Sequence, residues 1–285
     1  MTCNSPIDCY YSHELTKNNK RGLTFNPRLR YCGADTKYTD ALKVSCGKCA
    51  GCKADQSLMW SIRCYHESTQ HDQNSFITLT YDDDHLPEDQ AIHKDHLQKF
   101  FRRVRKAGNR IRYMACGEYG GRSRRPHYHA IIFGKDWLEN SVPIDEKMYT
   151  NQSLVDIWGN GLVSIAPVSM ASICYVCGYV TKKMDDEDTF NLMSRRPGLG
   201  HTWLDKYKDD IARNQTVTIE GREYQVPKRY LAWEEELFAD VKAARAAHAK
   251  ENSRGVDPMD RRRAEDSREL NKRARIKSRL TKEKV

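Results

Sequence analysis

The stretch IRYMACGEYGGRSRRPHYHAIIF, residues 111–133, decides the fold. Two β-rich runs, 111–119 and 127–133, flank a turn-rich segment whose glycines and proline favour reversal of the chain. The sequence therefore predicts an antiparallel hairpin. Because side chains alternate along a strand, His127 and His129 point to one face, and Glu118 of the preceding strand lies across the hairpin from them.

Further elements follow from hydrophobic periodicity on both sides of this hairpin. We predict helices at 53–67, 94–107 and 153–158, strands at 76–81 and 162–165, and a helix from Ser169, its N-cap, to Met184. The order strand, helix, strand, strand, helix, strand, helix is typical of an α+β fold. We expect an antiparallel sheet with helices on one face, of ferredoxin-like kind.

Composition divides the chain into three predicted parts. Residues 1–52 show no periodicity and predict a loop-rich, Cys-containing N-terminal segment, followed by the sheet domain at 53–233. Residues 234–285 predict a helical, basic and partly disordered extension. The formal net charge is +9, and residues 241–285 hold fifteen Lys or Arg against seven Asp or Glu. This basic tail suits nucleic-acid binding, although a solvated tail would have the same composition.

Hydropathy argues against a membrane or secreted protein. Residues 1–22 are polar and lack the apolar core of a signal peptide, so we expect no export and reduced thiols. The uncharged stretch 157–181 contains Asn160 and Pro167 and predicts a strand followed by a helix rather than a membrane span.

The histidines of the hairpin suggest a metal site. Two imidazoles and a carboxylate from His127, His129 and Glu118 would leave open positions on an octahedral Mg²⁺ or Mn²⁺ ion. Such an ion can polarise a phosphate. Histidines on a plain exposed sheet face would show the same pattern, and the acidic run 82–84 competes with Glu118 for the carboxylate role.

A tyrosine pair lies on the helix that follows. Tyr175 and Tyr179 are four residues apart and share a helical face, near Lys182 and Lys183. A phenol has a pKa near 10, so a nearby cation would favour its attack as a nucleophile. Two core tyrosines with a solvated lysine pair would also explain the pattern.

The cysteines Cys46, Cys49 and Cys52 recur every third residue, which suggests a structural zinc site. Zinc requires four ligands. The candidates for the fourth are Cys3, Cys9, Cys32, Cys64 and His66. Reduced cysteines at the start of a helix remain the alternative.

The hairpin turn is rich in arginine. Arg122, Arg124 and Arg125 would meet DNA close to the metal site, or they form a solvated turn.

These motifs resemble a known family. The segment 76–81 (FITLTY), Glu118 with His127-Tyr128-His129, and the tyrosine and lysine group at 175–183 follow the order of the three motifs of HUH endonucleases. More closely, the chain resembles replication initiation proteins of gokushovirus-type microviruses. The cysteine motif at 46–52 and the segment 194–200 (SRRPGLG) also resemble that group. The resemblance covers residues 45–230.

The resemblance implies a function. His127, His129 and Glu118 would hold the divalent ion, and Tyr175 or Tyr179 would attack the scissile phosphate of a single-stranded DNA origin. This attack leaves a 5′-phosphotyrosine, and the second tyrosine acts after one round of rolling-circle replication. Lys182 and Lys183 would stabilise the phosphate. The implied partners are origin DNA and a host helicase or polymerase, in the bacterial cytoplasm.

Two other interpretations fit parts of the sequence. A noncatalytic nucleic-acid-binding protein organised by zinc would explain the cysteines and the basic tail. A metal-dependent hydrolase using activated water would explain the histidines but leave the tyrosines structural.

Overall fold

The computed structural model describes residues 3–17, 19, 21–35, 38, 41–120, 124–182, 189–251, 264, 266–271 and 273–274, with the backbone alone at 180–182 and 248–251. The chain divides into two compact units. The first contains residues 1–55 and 249–285, and the second contains residues 56–248.

The first unit contains a small antiparallel sheet in the described residues. Its strands, in the order β2-β1-β3, are β1 (Ile7–Leu15), β2 (Arg21–Thr24) and β3 (Leu42–Val44). The prediction of a loop-rich segment was therefore wrong. The physical reason is that Cys9 is the buried residue of β1 while Ile7 and Leu15 are exposed, so the alternating apolar pattern of a half-buried strand is missing.

Helix α1 (Ala50–Ser68) leads from the first unit into the second. The further elements of the chain are β4 (Asn74–Tyr81), α2 (Lys94–Lys106), β5 (Arg112–Tyr119), β6 (Pro126–Phe133), β7 (Val142–Pro143), β8 (Tyr149–Thr150), α3 (Gln152–Trp158), β9 (Gly161–Pro167), α4 (Met170–Lys182), β10 (Phe190–Met193), α5 (His201–Asn214), β11 (Thr216–Ile219), β12 (Arg222–Gln225), α6 (Lys228–Trp233) and α7 (Ala239–Glu251).

A large antiparallel sheet forms the centre of the second unit. Seven strands of the described chain lie in the order β10-β5-β6-β4-β9-β8-β7. The predicted hairpin is β5 and β6, and its register pairs Glu118 directly with His127. The predicted α+β class with a large antiparallel sheet is confirmed.

Helices cover both faces of this sheet, whereas the sequence predicted one. On one face, Leu79 and Tyr128 pack against Phe100 of α2 and Trp158 of α3. On the other face, the side chains of Met114, Cys116, Ile131 and Phe133 pack against α4. The strands are apolar at successive positions, as is typical of a sheet buried on both sides.

The helices next to the site begin and end as their sequences dictate. In α2, Leu97, Phe100, Phe101 and Val104 are buried, as predicted, and each contributes about 1.5–3 kcal/mol of burial. Ser169 caps α4, because its side-chain oxygen accepts a hydrogen bond from the backbone N–H of Ser172 at 3.2 Å. Helix α4 is thereby fixed at the end of β9.

The segment after β10 has a core of its own. Leu204 and Ile211 of α5 pack with Val217, Ile219 and Tyr230 beneath the β11–β12 hairpin. Sequence signals are weak here because the strands are four residues long and α5 is largely charged. The predicted helical character of the tail is present in α7, while the predicted break at 256–258 lies outside the described residues.

A buried histidine in this core predicts acid sensitivity. The His66 ring stacks on Trp203 with centroids 3.4 Å apart, and its Nδ1 lies 3.0 Å from the hydroxyl of Tyr230. Burial lowers the pKa of His66 to about 3. The unfolded chain therefore takes up a proton below about pH 6.5 that the folded chain refuses, and stability is lost as the pH falls from 6.5 towards 3.

We expect the His66→Phe variant to flatten this dependence. Between pH 6.5 and 4.5 the wild-type protein should lose about 2 kcal/mol more of its unfolding free energy than the variant. Urea unfolding at three pH values measures the difference. Replacing the exposed His85 in the same way is the control and should leave the dependence unchanged. Parallel curves for wild-type and His66→Phe would contradict the assignment.

Among the described residues, no helix combines the length and apolar character that crossing a membrane requires.

Candidate metal centre beside a tyrosine pair

The hairpin brings three ligand side chains together, as the sequence predicted. Glu118 Oε1 lies 3.1 Å from His127 Nε2 and 2.8 Å from His129 Nε2. The three ligand atoms all lie within 4.8 Å of one another. The run 82–84 does not compete, because Asp82 bonds His85 and Asp83 bonds Arg125.

The outer nitrogens of both histidines are held by the fold. His127 Nδ1 donates to the carbonyl of Arg125 at 3.1 Å, and His129 Nδ1 shares a hydrogen bond of 2.9 Å with the hydroxyl of Thr78. Because a carbonyl only accepts, the neutral ring of His127 directs the lone pair of Nε2 at the carboxylate. Two electron-rich atoms at this distance repel unless a proton or a metal cation lies between them, so the donor set fits a metal ion.

The carboxylate of Glu118 is buried but remains ionised. Burial by itself raises the pKa of a carboxyl group, yet the contacts with His127 and His129 lower the pKa of Glu118 well below its usual range. The site therefore contains a fixed negative charge with little access to water.

Helix α4 places both tyrosine hydroxyls against this cluster. The Tyr175 hydroxyl donates to Glu118 Oε1 at 2.8 Å and lies 3.4 Å from His129 Nε2. The Tyr179 hydroxyl donates to that of Tyr175 at 3.1 Å. Tyr175 is half-buried, whereas Tyr179 is only 5% exposed. The shared helical face predicted from the spacing is present and faces the ligand cluster.

The environment of the phenols disfavours their ionisation. Burial raises the pKa of Tyr175, and the negative charge of Glu118 raises it further. The same two causes raise the pKa of Tyr179. Attack by either phenol therefore requires positive charge in the site to offset that of the carboxylate.

The basic residues predicted around the site have mixed outcomes. Lys182 ends α4, but its side chain, Lys183 and Arg122 lie outside the described residues. Arg124 is exposed and lies over the ring of Tyr119 at 5.1 Å. Arg125 donates to the carbonyl of Tyr81 at 2.7 Å and pairs with the carboxylate of Asp83, so its guanidinium holds the hairpin to the end of β4.

Two residues of β4 complete the site and were not identified from the sequence. Thr78 orients His129, and the ring of Phe76 stacks on that of His129 with centroids 5.6 Å apart. The alternation of β4 contained the signal, because Phe76 and Thr78 face away from Leu79. The pairing of Thr78 with His129 depends on the β4–β6 register, which alternation alone does not give.

A second ligand cluster lies in the first unit. The sulfur atoms of Cys3, Cys46, Cys49 and Cys52 lie within 4.8 Å of one another. Cys3 is thus the residue, among those considered for the fourth position, that joins the predicted triplet. The structure places Cys64 next to Cys177 and His66 next to Tyr230 instead.

Backbone N–H groups point at these sulfur atoms. Asn4 N lies 3.3 Å from Cys49 Sγ, and Cys46 N lies 3.3 Å from Cys3 Sγ. Burial favours the neutral thiol, but the N–H donors of Asn4 and Cys52 outweigh it and lower the pKa of Cys49 to about 7. The cluster therefore favours thiolate at the position that starts α1.

The fold and the site define the class of the protein: an α+β protein whose sheet face holds a metal-ligand cluster beside two tyrosine hydroxyls. Residues 74–184, which span both, match the family model described as replication-associated protein ORF2. The chain belongs to the family of phage replication-associated proteins, and its resemblance to microvirus replication proteins is confirmed.

The relatives come from several phages. The chain is 31% identical to the replication-associated protein VP4 of Bdellovibrio phage phiMH2K, covering 70% of this chain and 69% of the relative. It is 28% identical to the replication-associated protein ORF2 of Spiroplasma virus 4, covering 88% and 87%. With the replication-associated protein ORF4 of Chlamydia phage 1 it shares 28% identity, over 66% of this chain and 52% of the relative. No solved structure matches the chain significantly.

Proposed function

We propose that this protein initiates rolling-circle replication by nicking single-stranded origin DNA with a tyrosine nucleophile, as an HUH-type endonuclease. The observation that carries the proposal is the contact of the Tyr175 hydroxyl with Glu118 and His129, the residues that would hold the metal ion. Membership of the replication-associated family supports the replication role.

The nicking step exchanges one phosphate ester for another. The tyrosine oxygen attacks the phosphorus of the scissile phosphodiester and loses its proton, and the bond from phosphorus to the 3′ oxygen breaks. The products are a 5′-phosphotyrosine and a free 3′-OH, so no oxidant or energy source is consumed. That 3′-OH is a primer for a host polymerase, which places the reaction in the bacterial cytoplasm, alongside host helicase.

His127, His129 and Glu118 are the residues that would hold Mg²⁺ or Mn²⁺. The bound cation would polarise the phosphate and offset the charge that raises the pKa of the tyrosines. The donor set of two imidazole nitrogens and a carboxylate is compatible with either ion. Thr78 and the carbonyl of Arg125 keep both rings oriented without taking part in the chemistry.

We assign the first attack to Tyr175. Its hydroxyl contacts Glu118 directly and its side chain is half-buried, so an incoming phosphate reaches it before the enclosed Tyr179. Tyr179 is then available for the second cleavage that releases and circularises the displaced strand. Lys182 and Lys183 follow on the same helix and are proposed to stabilise the phosphate charge.

The test is a covalent-adduct assay. The protein is incubated with labelled circular single-stranded DNA of a microvirus and Mn²⁺ and then run on a denaturing gel. We expect a labelled band that survives boiling and maps to a peptide containing Tyr175 or Tyr179. Cut DNA without an adduct would support the hydrolase that uses activated water. Binding without cleavage in both Mn²⁺ and Mg²⁺ would support the noncatalytic binding protein.

We further propose that the four cysteines hold a structural Zn²⁺ ion. Four thiolates match the preferred ligand set of closed zinc sites, and N–H donors to sulfur stabilise the thiolate charge. The site ties the N-terminal residue Cys3 to the start of α1.

Purified protein should contain about one zinc ion per chain under reducing conditions. The Cys3→Ser variant should lose most of it, because one of four ligands is removed. Cys32→Ser, an exposed cysteine of the same unit, is the matched control and should retain the metal. Elemental analysis by mass spectrometry measures both variants. Zinc retained by Cys3→Ser, or none in the wild-type protein, would refute the site.

A further inference from the structure

The segment 194–200 (SRRPGLG), here called the arginine loop, joins β10 to α5 and has no part in the chemistry above. Its start is fixed to the sheet. Ser194 N donates to the carbonyl of Tyr113 at 2.9 Å, and Tyr113 N donates to the hydroxyl of Ser194 at 3.1 Å. The loop therefore continues the β10–β5 pairing beyond the end of the strand.

Three charged side chains hold the rest of the loop by its backbone. Arg112 donates to the carbonyl of Pro197 at 2.8 Å, and Arg63 donates to the carbonyl of Leu199 at 3.1 Å. Glu67, which pairs with Arg112, accepts a hydrogen bond from Gly200 N at 2.7 Å.

Two of these side chains are buried charges. Glu67 is 2% exposed and Arg63 is 7% exposed. A buried charge is costly unless hydrogen bonds satisfy it, and here the loop backbone supplies them. The loop is also closely packed: Gly200 has φ +79°, and a Cβ at that position would lie 2.2 Å from the Tyr230 hydroxyl oxygen. These contacts fix the backbone of the loop.

The fixed backbone presents two guanidinium groups to solvent. Arg195 and Arg196 are both exposed, and neither has an ion-pair partner among the residues that the structure describes. Arginine is suited to phosphate because its planar donor groups match the oxygens of the ester. A rigid support also lowers the entropy that such a contact costs.

The loop lies on the same face of the sheet as the metal centre. Leu199 packs with Met114, Cys116 and Tyr179 in the core of that face. Along β5, Arg112 anchors the loop and Glu118 is the metal ligand, six residues further on. At about 3.4 Å per residue these positions are about 20 Å apart. Stacked nucleotides advance about 3.4 Å each, so roughly six would cover this distance.

We propose that Arg195 and Arg196 bind backbone phosphates of the single-stranded DNA about 20 Å from the nicking site. This inference rests on the proposed function for the identity of the strand, but it concerns binding rather than cleavage. The arginine loop would anchor one flank of the strand and leave the scissile phosphate to the hairpin and α4.

The test compares two double variants in the full-length chain. Arg195→Gln with Arg196→Gln removes the loop cations. Arg102→Gln with Lys106→Gln removes the same charge from the exposed side of α2, which packs on the opposite sheet face. Both carry Tyr175→Phe and Tyr179→Phe, so that cleavage does not deplete the probe. The probe is a labelled oligothymidylate of about 20 nucleotides, measured by fluorescence anisotropy across a salt series.

We expect the loop variant to bind about tenfold more weakly near 0.15 M salt and to flatten the slope of log affinity against log salt by about 1.4, the value for two single-strand phosphate contacts. The α2 variant should change affinity less than twofold. Equal losses in both variants would mean that net charge alone matters, and no loss in the loop variant would remove the site; either result overturns the proposal.

Failure of the proposed function gives a different pattern. If the wild-type protein forms no adduct but the loop variant still binds more weakly than the α2 variant, the arginine loop is a DNA site on a protein that does not nick. If adducts form and the two variants bind equally, nicking stands and the arginine loop does not bind DNA. Thermal unfolding of each variant confirms that the fold is retained.

Discussion

The Tyr175→Phe, Tyr179→Phe double variant is expected to form no boiling-resistant adduct with single-stranded DNA while keeping its affinity for that DNA within about threefold. Phenylalanine preserves the ring contacts of both residues with His129 and removes only the oxygen atoms that attack phosphorus. The adduct assay with Mn²⁺, run beside anisotropy binding, measures both properties.

The single variants separate the two tyrosines. Because Tyr175 contacts Glu118 and is the more accessible, Tyr175→Phe should reduce the first cleavage by at least two orders of magnitude. Tyr179→Phe should form the first adduct but fail to release a circle. Tyr207→Phe, a tyrosine 41% exposed on α5, is the matched control and should leave both steps unchanged. An adduct that persists in the double variant would end the assignment.

Loss of the metal ligands should have an effect of similar size. The His129→Ala variant is expected to lose metal-dependent nicking by a factor of at least about 10², because Lewis-acid stabilisation of a phosphate is worth several kcal/mol. Glu118 would then lack its shortest hydrogen-bonding partner, and the tyrosines would face an uncompensated carboxylate.

Two measurements identify the cause of that loss. Nicking rates at rising Mn²⁺ concentration report function, and titration of Mn²⁺ by electron paramagnetic resonance reports binding without turnover. His85→Ala, an exposed histidine paired with Asp82, is the control and should bind Mn²⁺ as the wild-type protein does. Undiminished nicking by His129→Ala would refute the site, and normal Mn²⁺ binding would show that His129 is not a ligand.

Local sequence patterns predicted the parts of the fold in which a short stretch determines its own structure. The hairpin, the shared face of His127 and His129, and the shared face of Tyr175 and Tyr179 follow from the periods of strand and helix. The α2 core residues and the cap at Ser169 follow equally from local rules.

The remaining features depend on long-range packing. Cys3 joins cysteines more than forty positions away, and the spacing of the triplet contains no information about it. Thr78 reaches His129 through the β4–β6 register, which tertiary structure decides. The strands of residues 7–44 were missed because they bury few side chains, so their sequence shows no period of two.

The first unit is discontinuous in sequence, and this sets the order in which the protein matures on the ribosome. Glu269 accepts hydrogen bonds from Ala50 N at 3.1 Å and from the side chain of Asn4 at 2.7 Å, within one unit built from residues 1–55 and 249–285. Residues 1–55 are translated before the sheet, yet their contacts with Glu269 await the synthesis of that residue. At about 5–20 residues per second, the sheet with its tyrosines has emerged several seconds earlier. The half-unit that emerges first must therefore wait for its partner segment, and a chain truncated before residue 269 would leave it unfinished.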